Sequence, residues 1–128
     1  MIRTTFSLIA GVLLAVATPA AAPTAAPGDP MAPIRQFIDG FNTGNTKSAY
    51  AAYAAGDVAI VDEFAPNRWL GANAPKKWAA DFDKHAAANG VSAGQVKYGE
   101  PTRTEISGNS AYVIIPTVYV YKDHGKPT

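Results

Sequence analysis

The segment 111–121 constrains the fold of this chain more than any other part, because it contains no charged side chain. Alternation divides its residues between two faces, one with Val113, Ile115, Tyr119 and Tyr121 and the other with Tyr112, Ile114, Val118 and Val120. Both faces are largely apolar. Such a strand is buried on both sides, or lines a cavity on one face and meets a partner subunit on the other.

This strand has a predicted partner immediately before it. The segments 93–106 and 110–122 read as β-strands joined by Ser107-Gly108-Asn109, which predicts a long hairpin. Gly99 and Pro101 mark a bend or bulge in the first strand. Pro116 lacks an amide hydrogen, so it predicts a bulge or sheet edge in the second.

Helical periodicity dominates the earlier half of the chain. A first helix is predicted from the apolar stripe Ile34, Phe37, Ile38 and Phe41, with Gly44 as its stop. A second runs from Asn45 or Thr46 to Ala55, and a third from about Pro75 to Ala88. One face of the third helix carries Trp78, Asp81, Phe82 and His85. The chain therefore divides into helices first and strands later.

One carboxylate interrupts the apolar pattern between the second and third helices. The run 58–64 reads as a strand in which Asp62 shares a face with Val58, Ile60 and Phe64. If that face is the core, burial tunes the carboxyl group toward acid or base chemistry. The alternative is structural: Asp62 holds the Trp69 loop by bonding to a loop amide or pairing with Arg68.

The start of the chain is typical of an exported protein. Arg3, an apolar run 6–17 and a small-residue stretch predict a signal peptide over 1–22, cleaved after Ala17, Ala20 or Ala22. A retained anchor is less compatible with so short a run, since a spanning helix needs about 20 apolar residues. Proline-rich residues 23–33 predict a flexible linker, and 34–128 one domain, located in the periplasm or secreted.

Composition excludes several function classes. Apart from Arg3 the chain has ten basic and ten acidic residues, which favours neither nucleic acid nor, after signal cleavage, a membrane surface as partner. It has no cysteine and only two histidines, far apart, and it lacks a phosphate-binding glycine loop. We therefore expect neither a metal nor a cofactor.

Several parts of the chain together resemble the SnoaL-like branch of the nuclear transport factor 2-like superfamily. They are the two N-terminal helices, the strand and loop 62–69, the start of the third helix at 74–82 and the segment 111–119. The resemblance covers about 33–128 and implies an α+β cone, in which a strongly curved mixed sheet wraps helices around a deep, mostly apolar pocket. Relatives continue past a turn like His124-Gly125 into further strands. The resemblance therefore implies that the domain lacks its last strand or strands.

The resemblance leaves three functions open. The first is binding of a small, largely apolar molecule without catalysis. The second is a cofactor-independent isomerase, cyclase or dehydratase with Asp62 as base and His85 or a tyrosine hydroxyl assisting. The third is a homodimerisation module that uses the Tyr112 and Val118 face. Candidate pocket residues are Trp69, Trp78, Tyr98 and Tyr119, although such aromatics more often fill a core. For His85, a place at the helix C-terminus or a pair with Asp81 is the plainer interpretation.

Overall fold

The computed structural model describes residues 28–128. The predicted signal peptide and the first part of the predicted linker lie outside the described residues. Within 28–128, no helix is long and apolar enough to cross a membrane. The first helix, α1, spans Ala32–Thr43, and Met31 just before it is already buried.

Two helices open the fold. The helix α1 ends at Gly44, whose φ of 69° is one that glycine adopts without strain. The second helix, α2, spans Thr46–Ala51, and the Asn45 side chain accepts a hydrogen bond from the Ser48 amide (3.1 Å). The prediction placed its end at Ala55, four residues too late. A helix this short depends on tertiary packing, and the chain turns where the Tyr53 ring packs edge-on against Phe37 (5.5 Å).

A short hairpin follows. Strand β1 spans Ala59–Val61 and pairs antiparallel with β2, Arg68–Leu70. The predicted strand 58–64 is thus too long, because the Asp62 amide donates to the Asn67 carbonyl (3.2 Å) and closes a turn. The region of β2 was predicted as a loop, since three residues are too few to show alternation. The predicted shared face is nevertheless correct, and it is the inward one: Val58, Ile60 and Asp62 are partly buried and Phe64 is buried.

The third helix, α3, spans Ala74–Ala88 as predicted, with Pro75 in its first turn. After it come β3 (Val91–Tyr98), β4 (Arg103–Ser107), β5 (Ser110–Ile114), β6 (Thr117–Asp123) and β7 (Lys126–Pro127). The predicted long hairpin is confirmed, since β3 pairs with β6 and β4 with β5, all antiparallel. The first strand is interrupted between Tyr98 and Arg103, where Gly99 and Pro101 predicted a bend, and the Gly99 amide donates there to the Pro116 carbonyl (3.0 Å).

The helices cover one face of this hairpin. Val96 and Tyr119 are paired on β3 and β6, and the Tyr119 ring meets Phe41 of α1 (6.3 Å) and Phe82 of α3 (6.2 Å). The Asn42 side chain of α1 accepts from the Val96 amide (2.7 Å) and donates to the Val96 carbonyl (2.8 Å). It thereby satisfies the backbone at the outer edge of β3. The fold is α+β, with antiparallel sheets that do not close into a barrel.

Candidate functional site

A cavity of about 340 Å³ lies between the three helices and the β3–β6 pair. Residues with small side chains keep the space open, among them Gly40, Ala49, Ala79, Ala86 and Gly94. Larger aromatic residues form its walls: Phe37, Phe41, Tyr50, Trp78, Phe82 and Tyr119. Thr46, Asp83 and Ser92 also line it and are exposed, so the polar part of the lining lies toward solvent.

The aromatic wall is one packed cluster. Trp78 and Phe82 are stacked, with ring centroids 5.6 Å apart, and Phe41 approaches Phe82 edge-on at 5.6 Å. Phe37 contacts the Trp78 ring at 5.9 Å. These rings come from α1 and α3, where spacings of three and four residues repeat one face. The lining is therefore set by the same helical stripes that pack the two helices together.

Asp62 does not line this cavity but touches one of its walls. Its Oδ2 accepts a hydrogen bond from the Trp78 indole Nε1 (2.8 Å), and its Oδ1 accepts from the Glu63 amide (2.7 Å). A loop amide is thus one partner, as the structural interpretation proposed. Within residues 28–128 the other structural partner, Arg68, makes no ion pair with Asp62.

A second indole–carboxylate bond runs in the opposite direction. Trp69 of β2 donates from Nε1 to Oδ2 of Asp81 on α3 (3.0 Å), and Lys84 donates to the same carboxylate (3.2 Å). The hydrogen bond from Trp69, and to a smaller degree the one from Lys84, hold the pKa of Asp81 below its usual value. The β1–β2 hairpin and α3 are thus joined by two indole–carboxylate hydrogen bonds, and each side supplies one tryptophan and one aspartate. These bonds fix the hairpin against the helix.

The other residues singled out in the sequence lie apart from one another. Trp69 is buried in a core cluster with Phe64 and Ala74, and it does not line the 340 Å³ cavity. Tyr98 is exposed and lies outside this cavity. Of the four proposed ligand contacts, the cavity therefore brings together Trp78 and Tyr119.

His85 is exposed in the last turn of α3. Its ring stacks on Phe64 (5.1 Å between centroids) and lies 3.4 Å from the Asn89 side-chain nitrogen. The alternative pair with Asp81 is not formed, because that carboxylate bonds to Trp69 and Lys84. Among residues 28–128, no group of three or more His, Asp or Glu side chains is arranged to hold a metal ion.

Tyr53 is a neighbour of Asp62 that sequence reasoning missed. Burial, together with the negative charge of Asp62, raises the pKa of the Tyr53 phenol to about 12. Nothing in the local pattern signalled this, because Tyr53 follows a short helix and its position depends on the turn after Ala51. Phe37, Phe41 and Phe82 were assigned to helix packing, and their second role in lining a cavity has no separate sequence signal.

Comparison of the chain with protein-family models, with curated proteins and with solved structures finds no match. The cavity and the groups around it are therefore the features of the chain that point to a function.

Proposed function

We propose that this chain is an exported binding domain whose cavity holds a small, largely apolar molecule. The observation that carries the proposal is the 340 Å³ space walled by aromatic rings from α1, α3 and β6. Ligand sites are mostly apolar concavities with a few polar groups that orient the ligand. The cavity has this composition, since the polar side chains of its lining are the hydroxyl groups of Thr46, Tyr50, Ser92 and Tyr119 and the exposed carboxylate of Asp83.

The proposal includes a cone of the SnoaL-like type. Two observations support it. The elements follow in the order of two helices, a short hairpin, a third helix and a long bent hairpin, and all three helices lie beside the cavity. Export to the periplasm or medium is proposed from the sequence of residues 1–22.

Two neighbouring alanines of α3 provide a matched test. Ala86 lines the cavity, whereas Ala87 is exposed on the next position of the same helix. The neutral fluorophore N-phenylnaphthylamine, whose emission rises in apolar surroundings, serves as the probe. Ala86→Phe fills part of the space and is expected to weaken probe binding about tenfold, a loss of about 1.4 kcal/mol. Ala87→Phe is expected to leave the binding unchanged.

Circular dichroism and thermal unfolding establish that both variants fold. Equal affinity of the parent, Ala86→Phe and Ala87→Phe for the probe would show that the cavity is not the binding site. Mass spectrometry of the protein purified from its native compartment under non-denaturing conditions then identifies the natural ligand.

A second candidate is acid–base catalysis with Asp62 as the base, and the effect of its negative charge on the Tyr53 phenol favours it. A carboxylate beside a phenol that stays protonated offers both a base and a hydrogen-bond donor. In a double-bond isomerisation, Asp62 would take a proton from the carbon next to a ketone and return it to the far end of the shifted double bond. Conversion of a non-conjugated cyclohexenone to its conjugated isomer, followed by ultraviolet absorbance, tests this. Turnover by the parent that Asp62→Asn abolishes would support catalysis, and no turnover by the parent favours binding alone.

A further inference from the structure

The junction between α3 and β3 consists of Asn89 and Gly90, and neither residue lines the cavity. We propose that this pair is a site of spontaneous covalent modification, at which Asn89 converts to isoaspartate and loosens the link between α3 and β3. The inference concerns the chemistry of the chain itself and does not depend on the proposed binding function.

The reaction needs only the chain and water. The Gly90 backbone nitrogen attacks the side-chain carbonyl carbon of Asn89 and forms a new C–N bond. The bond from that carbon to the side-chain nitrogen breaks, and ammonia leaves with the proton of the Gly90 amide. Water then opens the resulting cyclic imide. Addition at the side-chain carbonyl gives aspartate, whereas addition at the main-chain carbonyl gives isoaspartate, in which the chain runs through the side-chain carbons.

Asn89 is the one asparagine of the chain that precedes a glycine. Glycine has no Cβ, so its amide nitrogen can approach a neighbouring carbon that bulkier residues keep away. The fold requires glycine at position 90, because φ is 67° there and an added Cβ would lie 2.6 Å from Nε2 of His124. Packing against the His124 ring therefore retains the reactive pair.

The end of α3 leaves this pair free to react in the folded protein. Asn89 is exposed, and its side-chain nitrogen donates to the His85 carbonyl (2.8 Å). The Gly90 amide donates to the Ala87 carbonyl at 3.4 Å, which is long for such a bond. Rotation of the Asn89 backbone, where ψ is 9°, brings the Gly90 nitrogen to the side-chain carbon and opens these two hydrogen bonds. Helix ends open in this way more readily than helix interiors.

Asp39-Gly40 is a comparable pair inside α1, and it can close the same ring with loss of water. Gly40 is buried in the interior of that helix, and an added Cβ would lie 2.6 Å from the Ala49 backbone nitrogen. Rotation at Asp39 would break α1 where it contacts α2. The structure thus distinguishes two pairs that both appear reactive in the sequence, and it assigns the reaction to Asn89.

The modification falls where α3, β3 and the β6–β7 turn meet. The Gly90 carbonyl accepts a hydrogen bond from the His124 amide (2.9 Å), and Val91 pairs with Asp123. Isoaspartate adds a methylene group to the main chain just before Gly90, so these bonds cannot persist with α3 in place. The new carboxylate is also unfavourable at the C-terminal end of α3, because the helix dipole is negative there.

The site is tested by incubating the purified protein at mildly alkaline pH, folded and unfolded in guanidinium chloride, beside Asn89→Gln. Isoaspartate is located by peptide mapping with tandem mass spectrometry. We expect it at position 89 of the folded parent, formed about tenfold more slowly than in the unfolded chain because two hydrogen bonds must open. Asn89→Gln should lack it. Asn109 is the internal control, since it is exposed in the β4–β5 turn but precedes Ser110.

Absence of isoaspartate at position 89 in the folded protein, under conditions that convert the unfolded chain, overturns the inference. Equal conversion at Asp39 or Asn109 in the folded protein does so as well.

The effect on the junction is measured on the isoaspartate form after its separation by ion exchange. It is expected to unfold about 5 °C below the parent and to exchange the His124 amide hydrogen faster. Asn89→Asp is the matched control, because it adds the charge without lengthening the chain, and it should keep slow exchange at His124. An isoaspartate form with parental exchange at His124 would show that the junction is not loosened.

Discussion

Asp62 uses both carboxylate oxygens as acceptors, one for the Trp78 indole and one for the Glu63 amide. An asparagine has a single acceptor oxygen, so Asp62→Asn cannot keep both bonds. We expect it to lower the free energy of unfolding by about 1–2 kcal/mol, measured by urea denaturation, and to change Trp78 emission. The matched control is Glu63→Gln at the adjacent exposed position. Equal urea midpoints for the two variants would contradict this account of Asp62.

Tyr53 gives the fold a sensitivity to alkaline pH. Because burial and the Asp62 charge raise its pKa to about 12 in the folded protein, while an unfolded tyrosine ionises near about 10, the folded state holds this proton more tightly. The resulting stability is fully present below about pH 10 and is lost as pH rises to about 12.

The unfolding temperature of the parent is expected to fall between about pH 10 and pH 12, and Tyr53→Phe is expected to reduce this fall. The exposed Tyr112 provides the control variant Tyr112→Phe, which should retain the parental fall. The ultraviolet titration of tyrosinate should also lose its latest component in Tyr53→Phe alone. A late component that survives this substitution would assign it to another tyrosine.

At the scale of elements, α1 and α2 are in close contact at Gly40. An added Cβ would lie 2.6 Å from the Ala49 backbone nitrogen and 2.9 Å from its Cα, so Gly40→Ala must push the helices apart. Overpacking of this kind costs about 1–3 kcal/mol, more than the gain of up to about 1 kcal/mol from alanine in a helix.

We expect a lower urea midpoint for Gly40→Ala and weaker binding of N-phenylnaphthylamine, since Gly40 and Ala49 also line the cavity. Gly28→Ala is the control, because nothing lies within 4 Å of the Cβ it would add. A stabilised Gly40→Ala protein would mean that the helices separate without loss.

Elements with strong local signals were predictable from the sequence. Three such signals each depend on a few neighbouring residues and placed their elements correctly. They are the apolar stripe in α1, the Pro75 start and Asn89-Gly90 stop of α3, and the bend at Gly99 and Pro101. The strand β2 was missed because its pairing with β1 is what makes its three residues a strand.

The candidate site was predictable only in part, for a similar reason. Alternation placed Asp62 on one face with Val58, Ile60 and Phe64, and the structure shows that this face is the more buried one. Its partner Trp78 lies sixteen residues away, and the second indole–carboxylate bond, between Trp69 and Asp81, depends on how α3 packs against the hairpin. No local pattern contains that packing. The sequence alone therefore left two roles open for Asp62, a catalytic base or a structural group that holds the Trp69 loop.

Across the whole molecule, the face of the long hairpin opposite the helices is unusually apolar. Val118 is 60% exposed, Tyr112 56% and Ile114 40%, while Val120 on the same face is partly buried. Paired positions on β3 and β4 add Lys97, Arg103 and Glu105 to this face. Large exposed apolar patches with polar margins are typical of interfaces between proteins. We propose that this face joins two copies of the chain.

Val118→Lys tests that proposal. In a two-fold interface the substitution buries a lysine from each copy, and the cost of removing both charges from water is expected to convert a dimer to monomers in sedimentation velocity runs. Val61→Lys is the matched control, because Val61 is a β-strand valine on β1 that is 77% exposed. It should leave the dimer intact. A monomeric parent at tens of micromolar, or a Val118→Lys protein that remains dimeric, would show that this face meets solvent or a different partner.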